Sequence, residues 1–179
     1  MRALAEPPQL LLNYADIPYR YQMSWEYFDK PWNEVKPNIP FGQLPLLIAQ
    51  NGGQIAQSGS IVRYIANKAN MIPSDSNLAA MIDSIFETAH EMFFPLNPTI
   101  NFAVGTGFKK AKNTIVENVT GRLQNFENIL NDPSYRPIFL ADKPFYCDFC
   151  VYHHLLLLRL LDSNIFNKFS NLDQFLNSK

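Results

Sequence analysis

Glycine is scarce in this chain, seven residues in 179, which leaves little for the glycine-rich loops that cradle phosphates. Cysteine is scarcer: Cys147 and Cys150 are the only two. A pair this close cannot form a secreted disulfide framework, and a reducing cytosol is expected. No apolar run approaches the ~20 residues of a membrane span; Leu155 to Leu158 is among the longest. The N-terminus has one Arg, a proline pair and only Leu10-Leu11-Leu12 as an apolar core, so no signal peptide is expected. Neither charge is in excess, with 15 Lys+Arg against 16 Asp+Glu, which argues against nucleic acid or an anionic membrane surface as partner. What is present is 47% hydrophobic and 17% charged residues, the composition of a compact globular protein with one large domain or two small ones. A chain of this length buries roughly 70% of the surface its unfolded form exposes.

The chain changes character near residue 73. Before it, prolines and short aromatic or β-branched runs dominate; after it, helical periodicity does. Glu6 to Ala15 reads as a helix with its proline pair in the first turn, where a missing N–H costs little. Tyr19 to Met23 alternates like a strand, and Lys30 to Pro40, with three prolines, reads as an irregular loop. Leu44 to Ala49 and Gln54-Ile55-Ala56 flank Asn51-Gly52-Gly53, a hairpin signal. Ser58 to Asn70 reads as a helix. Beyond Ile72-Pro73-Ser74-Asp75, Leu78, Met81, Ile82, Ile85, Phe86 and Ala89 follow the spacing of a core-facing helix. Further helices are expected over Lys109 to Leu130 and Tyr146 to Leu161. The fold class is thus an α/β unit, residues 1–72, followed by an all-helical unit, residues 76–179.

Four patterns carry candidate chemistry. Pro40-Phe41-Gly42-Gln43-Leu44-Pro45 runs into the hairpin; a cis Leu44–Pro45 bond would free the Leu44 backbone to pair with an extended peptide-like ligand, whereas a trans one simply opens an edge strand. Gln57-Ser58-Gly59-Ser60 precedes a helix, and its first-turn N–H groups with the Ser58 hydroxyl suit a carboxylate; the alternative is plain capping by Ser58. Asp83, Glu87, His90, Glu91 and Phe94 share one helix face opposite the apolar stripe, fit for an ammonium or a metal ion, or simply solvated. Cys147, Cys150 and His154 would share a face of the last helix, with His153 beside them. No fourth metal ligand is evident, and a small-residue core explains them equally. Asn118-Val119-Thr120 fits a glycosylation sequon with nothing to indicate secretion, and Gly105-Thr106-Gly107-Phe108-Lys109-Lys110 lacks phosphate-loop spacing.

In order and spacing, Ala5-Glu6-Pro7, Trp32 with Lys36, Pro40 to Pro45, Gln57 to Tyr64 and the stretch from Phe139-Leu140 to Asp148 resemble the cytosolic glutathione S-transferases, the sigma-like group in particular. The resemblance implies a thioredoxin-like N-terminal domain, an all-helical C-terminal domain, a homodimer and a detoxifying transferase. Its co-substrate is glutathione, with no metal, and its second substrate a small hydrophobic electrophile. It further implies that Trp32 and Lys36 hold the glycine carboxylate of glutathione. Leu44, before a cis-Pro45, pairs with the cysteinyl amide, and Gln43 lines the same edge. Gln57 and Ser58 take the γ-glutamyl carboxylate. Glu91, where the family has Asp, reaches the γ-glutamyl ammonium on the neighbouring subunit. Phe94 and Phe102 shape the electrophile pocket.

Against that family pattern the chain departs in three places. The tyrosine that hydrogen-bonds the glutathione sulfur lies on a first strand, and Met1-Arg2-Ala3-Leu4 already matches the turn after it. The strand and its tyrosine are therefore expected to be absent, with no catalytic residue assigned; Tyr14, Tyr19 and Tyr21 belong to other elements. Family members also continue past the segment matching Phe169 to Leu172 by about a helix. Finally, the Ser/Thr cap of the helix carrying Asp148 is here Phe145, and Asp148 is expected to compensate by reaching back to the Phe145 N–H. The leading reading is conjugation of the glutathione thiolate. The alternatives are a non-catalytic glutathione-fold protein that carries ligands or dimerises, and an isomerase or peroxidase using the same thiol.

Overall fold

The computed structural model describes residues 3–135 and 143–177. The chain divides into two compact units, one running to Asn70 and the other from Met71 onward.

In the first unit, α1 (Glu6–Tyr14) carries Pro7 and Pro8 at its opening turn and buries Leu11 and Leu12. Short helices α2 (Ser24–Phe28) and α3 (Trp32–Val35) follow. A hairpin of β1 (Leu46–Ile48) and β2 (Gln54–Ala56) then pairs antiparallel, Leu46 opposite Ala56, Leu47 opposite Ile55 and Ile48 opposite Gln54. Its turn is set by Gly52 at φ 81°, where a Cβ would be strained, and closed by the Gly52 N–H donating to the Ala49 carbonyl at 2.8 Å. Next, α4 (Ser58–Lys68) packs against α1 and the hairpin, burying Ile61, Val62, Ile65 and Ala66. Burying each of the three larger side chains, Ile61, Val62 and Ile65, contributes about 1.5–3 kcal/mol, and this seam is what fixes the loops that precede α4.

Two expectations fail in this unit. Tyr19 to Met23 forms no strand: the segment enters no ladder, and Tyr19 and Tyr21 are 39% and 50% exposed. Strand preference in aromatic runs is a preference for a paired, half-buried surface, and the sheet among the described residues is the hairpin alone. Lys30 to Pro40 is not irregular either. Pro31 stands at the N-cap of α3, Pro37 opens a 3₁₀ turn at residues 36–38, and Pro40 opens another at 40–42. Each proline sits where a helical turn needs no N–H from it.

The second unit is helical. Asp75 caps α5 (Ser76–Phe102), its Oδ1 accepting the Leu78 N–H at 2.7 Å. This helix buries Ile82, Ile85, Phe86, Ala89, Met92 and Leu96 and runs on through Pro95 and Pro98, well past the expected stretch. The Glu91 and Phe94 carbonyls, four residues before the prolines, receive no amide hydrogen from them. Next comes α6 (Gly105–Asn131), with Ile115, Val119, Leu123 and Phe126 inward. As expected, α7 spans Tyr146–Leu161. A 3₁₀ segment (Ser163–Lys168) leads to α8 (Ser170–Asn177). The main pairing is α5 on α7, where the Tyr146 hydroxyl donates to Asp83 Oδ1 at 2.7 Å. Among the described residues, no helix is long and apolar enough to cross a membrane.

Candidate functional site

The site expected from sequence is built on the loops that β1, β2 and α4 anchor in the first unit. Trp32 and Lys36 are one helical turn apart, the Lys36 N–H donating to the Trp32 carbonyl. Trp32 is half-buried and Lys36 exposed. The Lys36 stem lies across the 40–42 turn: a Cβ at Gly42, whose φ is 58°, would stand 3.2 Å from both Lys36 Cγ and Cε. Phe41, also at positive φ (59°), projects into solvent with 78% of its surface exposed.

The Leu44–Pro45 bond is cis, and β1 begins one residue after Pro45, so the Leu44 backbone stands outside the three-pair register of the hairpin. Gln57 lies between β2 and α4 at φ 69°, and its Nε2 donates to Gln43 Oε1 at 3.1 Å. Gln43 and Gln57, fourteen positions apart, are thereby locked together beside Leu44 and Ser58. Gln57 occupies the N-cap without a side-chain capping bond, and Ser58 is the buried first residue of α4. The first-turn N–H groups of a helix point outward without intrahelical partners, and the dipole there favours a carboxylate. Trp32 opens α3 and Lys36 follows it, Gln43 to Pro45 lead into β1, and Gln57 and Ser58 open α4: a cation, a strand-like backbone group and a helix N-terminus.

Glu91 belongs to the second unit. It is exposed and ion-paired with Arg122 of α6 at 3.2 Å. The shared face expected for Asp83, Glu87, His90, Glu91 and Phe94 is not uniform. Glu87, Glu91 and Phe94 are exposed, but Asp83 turns to Tyr146, and half-buried His90 stacks on Phe86 with ring centroids 5.6 Å apart. The helix rotates 100° per residue, so side chains at the edges of such a stripe fold into the α5–α7 seam.

Cys147 and Cys150 are free and fully buried. Burial, reinforced by the nearby Asp148 and Cys150, pushes the Cys147 thiol well above its ordinary range, the reverse of what a reactive thiol needs. His154 sits within 3.3 Å of the Cys150 sulfur, and its Nδ1 is 2.6 Å from the Cys150 carbonyl. No cluster of three or more metal-ligating side chains occurs among the described residues. The small-residue-core reading fits these cysteines. The sequon at Asn118 lies in mid-helix on α6.

At the N-terminus of α7 the Phe145 N–H donates to Asp148 Oδ2 at 2.8 Å, as expected. The stretch matched from Phe139-Leu140 falls partly on residues 136–142, outside those described. Sequence reasoning missed the Gln43–Gln57 bond and the placement of Lys36 over Gly42. The one available signal was a glycine directly before Gln43, in a chain with so few.

Residues 5–73 match the family model described as "Glutathione S-transferase, N-terminal domain". Over 181 residues the chain is 30% identical to Glutathione S-transferase 4 of Caenorhabditis elegans, covering 98% of this chain and 85% of that one. It is also 30% identical to Glutathione S-transferase Mu 4 of Homo sapiens, covering 98% and 81%. Among solved structures, a Pi-class glutathione S-transferase of Onchocerca volvulus superposes with a TM-score of 0.82 at 28% identity, over 99% of this chain and 82% of that one. The fold that this chain shares with that structure is a thioredoxin-like domain followed by a helical domain.

Proposed function

The chain belongs to the glutathione S-transferase family, and from that premise we propose that it binds glutathione in the first unit and transfers its thiolate to small hydrophobic electrophiles. The observation that carries this reading is the junction at Gln57: its side chain ties Gln43 to the start of α4 beside the exposed Leu44 backbone. A γ-glutamyl carboxylate at the α4 N-terminus, an extended cysteinyl amide on Leu44 and a glycine carboxylate on Trp32 and Lys36 follow the loops in order. Each contact matches a charge or dipole to its complement. Gln43 lines the edge between them.

The chemistry is attack by sulfur. A thiol with a pKa near 8.5 is mostly protonated at neutral pH, and the thiolate is the nucleophile. The proton leaves to solvent and a carbon–sulfur bond forms on the electrophilic carbon; in a substitution the leaving group departs with its bonding pair, and in an addition the π pair moves from that carbon to the adjoining acceptor atom, which takes a proton from solvent. Tyr19 and Tyr21 are engaged elsewhere, Tyr19 accepting the Asn13 amide and Tyr21 donating to the Met23 sulfur. No side chain is assigned to the sulfur.

Phe94 and Phe102, 63% and 65% exposed, offer apolar surface for the electrophile. We assign Glu91 to a second copy of the chain, where it would exchange Arg122 for the ammonium of glutathione held by that copy, in a homodimer. A cytoplasmic, detoxifying role accords with two cysteines that remain free thiols. Calorimetric titration with glutathione, paired with a spectrophotometric conjugation assay, tests the reading. Saturable binding and conjugation above the uncatalysed rate are expected. Absence of binding overturns the whole reading, while binding without turnover leaves a ligand-binding member of the family.

A further inference from the structure

The helical unit holds an open cleft of about 400 Å³ between α5 and α6. Ligand pockets span about 300–1,000 Å³, so a small molecule fits. The lining includes none of the residues proposed to hold glutathione or the electrophile. Its apolar part comes from Pro95 on α5 and from Ala111 and Ile115 on α6. Lys110, Thr114 and Asn118 recur at every fourth position and so run as one stripe of α6 along the cleft. From first to last the stripe is about 12 Å long. The chain reverses between the end of α5 at Phe102 and the start of α6 at Gly105. Thr99 and Lys110 therefore stand at the same end of the cleft.

Two observations point to an occupant. Thr99 is only 5% exposed, yet its hydroxyl contact, to the Pro95 carbonyl, is 3.5 Å long. An O–H···O bond is ordinarily about 2.5–3.0 Å, so a buried hydroxyl in the cleft wall is left available to a ligand oxygen. Gly107, also in the lining, lies within α6, although glycine is among the poorest helix formers. A Cβ there would meet nothing within 4 Å. Packing therefore does not require glycine at this position; a side chain would fill the cleft instead.

The charge is one-sided. From Met92 to Val116 the chain has three lysines and no acid. Lys112 pairs with Asp162 at 3.1 Å, whereas Lys110 has no ion pair among the described residues. Glu91, the acid that precedes this stretch, is paired with Arg122. An exposed ammonium beside an apolar cleft complements a ligand with one negative group and an apolar body.

We propose that the α5–α6 cleft binds amphipathic monocarboxylates, the carboxylate meeting Lys110 and the Thr99 hydroxyl and the apolar chain lying over Ala111 and Ile115 towards Asn118.

Titration calorimetry of the full chain with decanoate tests this. Saturable binding is expected, weakened about tenfold in Lys110→Gln by loss of one charge-assisted contact. Gly107→Leu is expected to weaken it more than tenfold, with a urea unfolding midpoint no lower than that of the unaltered chain. Equal affinity for decanoate in either variant and the unaltered chain overturns the proposal, as does a lack of binding at millimolar decanoate. Should Gly107→Leu fail to fold, amide spectra of the unaltered chain decide. Decanoate is expected to shift Thr99, Lys110 and Thr114, and shifts confined to residues outside the cleft overturn the assignment.

Discussion

Glu127 and Asn171 are joined twice through one carboxylate oxygen: Glu127 Oε1 accepts the Asn171 backbone N–H at 3.0 Å and its side-chain amide at 2.7 Å. The other oxygen accepts the Leu172 N–H at 3.0 Å. A buried acid on α6 thus supplies acceptors to the N-terminal N–H groups of α8 and adds its negative charge to that of Asp173 in the first turn.

Glu127→Ala is expected to lower stability by about 3 kcal/mol, because it leaves buried N–H groups of α8 without acceptors. Glu127→Gln, keeping one oxygen, costs about 1 kcal/mol. Denaturant unfolding measures both, and equal losses for the two variants would contradict the clamp.

Asp148→Ala removes the acceptor for the Phe145 N–H and is expected to cost about 1 kcal/mol. Asp148→Asn retains an oxygen and loses less. Thermal unfolding by calorimetry ranks the two.

Lys36→Ala is expected to weaken glutathione binding about tenfold, the worth of one charge-assisted contact at a partly exposed site. Titration calorimetry reads it, and unchanged affinity would remove Lys36 from the site.

Gly42→Ala places a side chain at a φ of 58° and against the Lys36 stem. A stability loss of about 1 kcal/mol is expected from the backbone alone. Because both substitutions act on the position of Lys36, the double variant should bind glutathione no worse than Lys36→Ala. Additive losses would show the two residues to be independent.

Neither cysteine should react with a disulfide reagent in the folded chain. Both thiols are fully buried and Cys147 is held protonated. Two equivalents should react once the chain is unfolded in guanidinium, and rapid labelling of the native protein would contradict the core assignment.

The elements that sequence exposed were those stabilised by their own pattern. The stretch from Tyr146 to Leu161 has unbroken helical periodicity, and the hairpin is set by Asn51-Gly52-Gly53; both stand where expected. Tyr19 to Met23 went astray because a strand depends on a partner that alternation cannot supply. The prolines between Lys30 and Pro40 misled because only their exact place within a turn distinguishes a breaker from an opener. In the candidate site, motif order picked out Lys36, Leu44 and Gln57. What joins Gln43 to Gln57 is tertiary: two amides brought together by the hairpin between them.

The bond between Tyr146 and Asp83 spans 63 positions of chain and so closes one large ring, with the whole of α6 inside it. Closure entropy grows only with the logarithm of ring size, about 0.6 kcal/mol per doubling. Added length within that ring is therefore cheap, and the helical half of this protein is forgiving of insertions between α5 and α7.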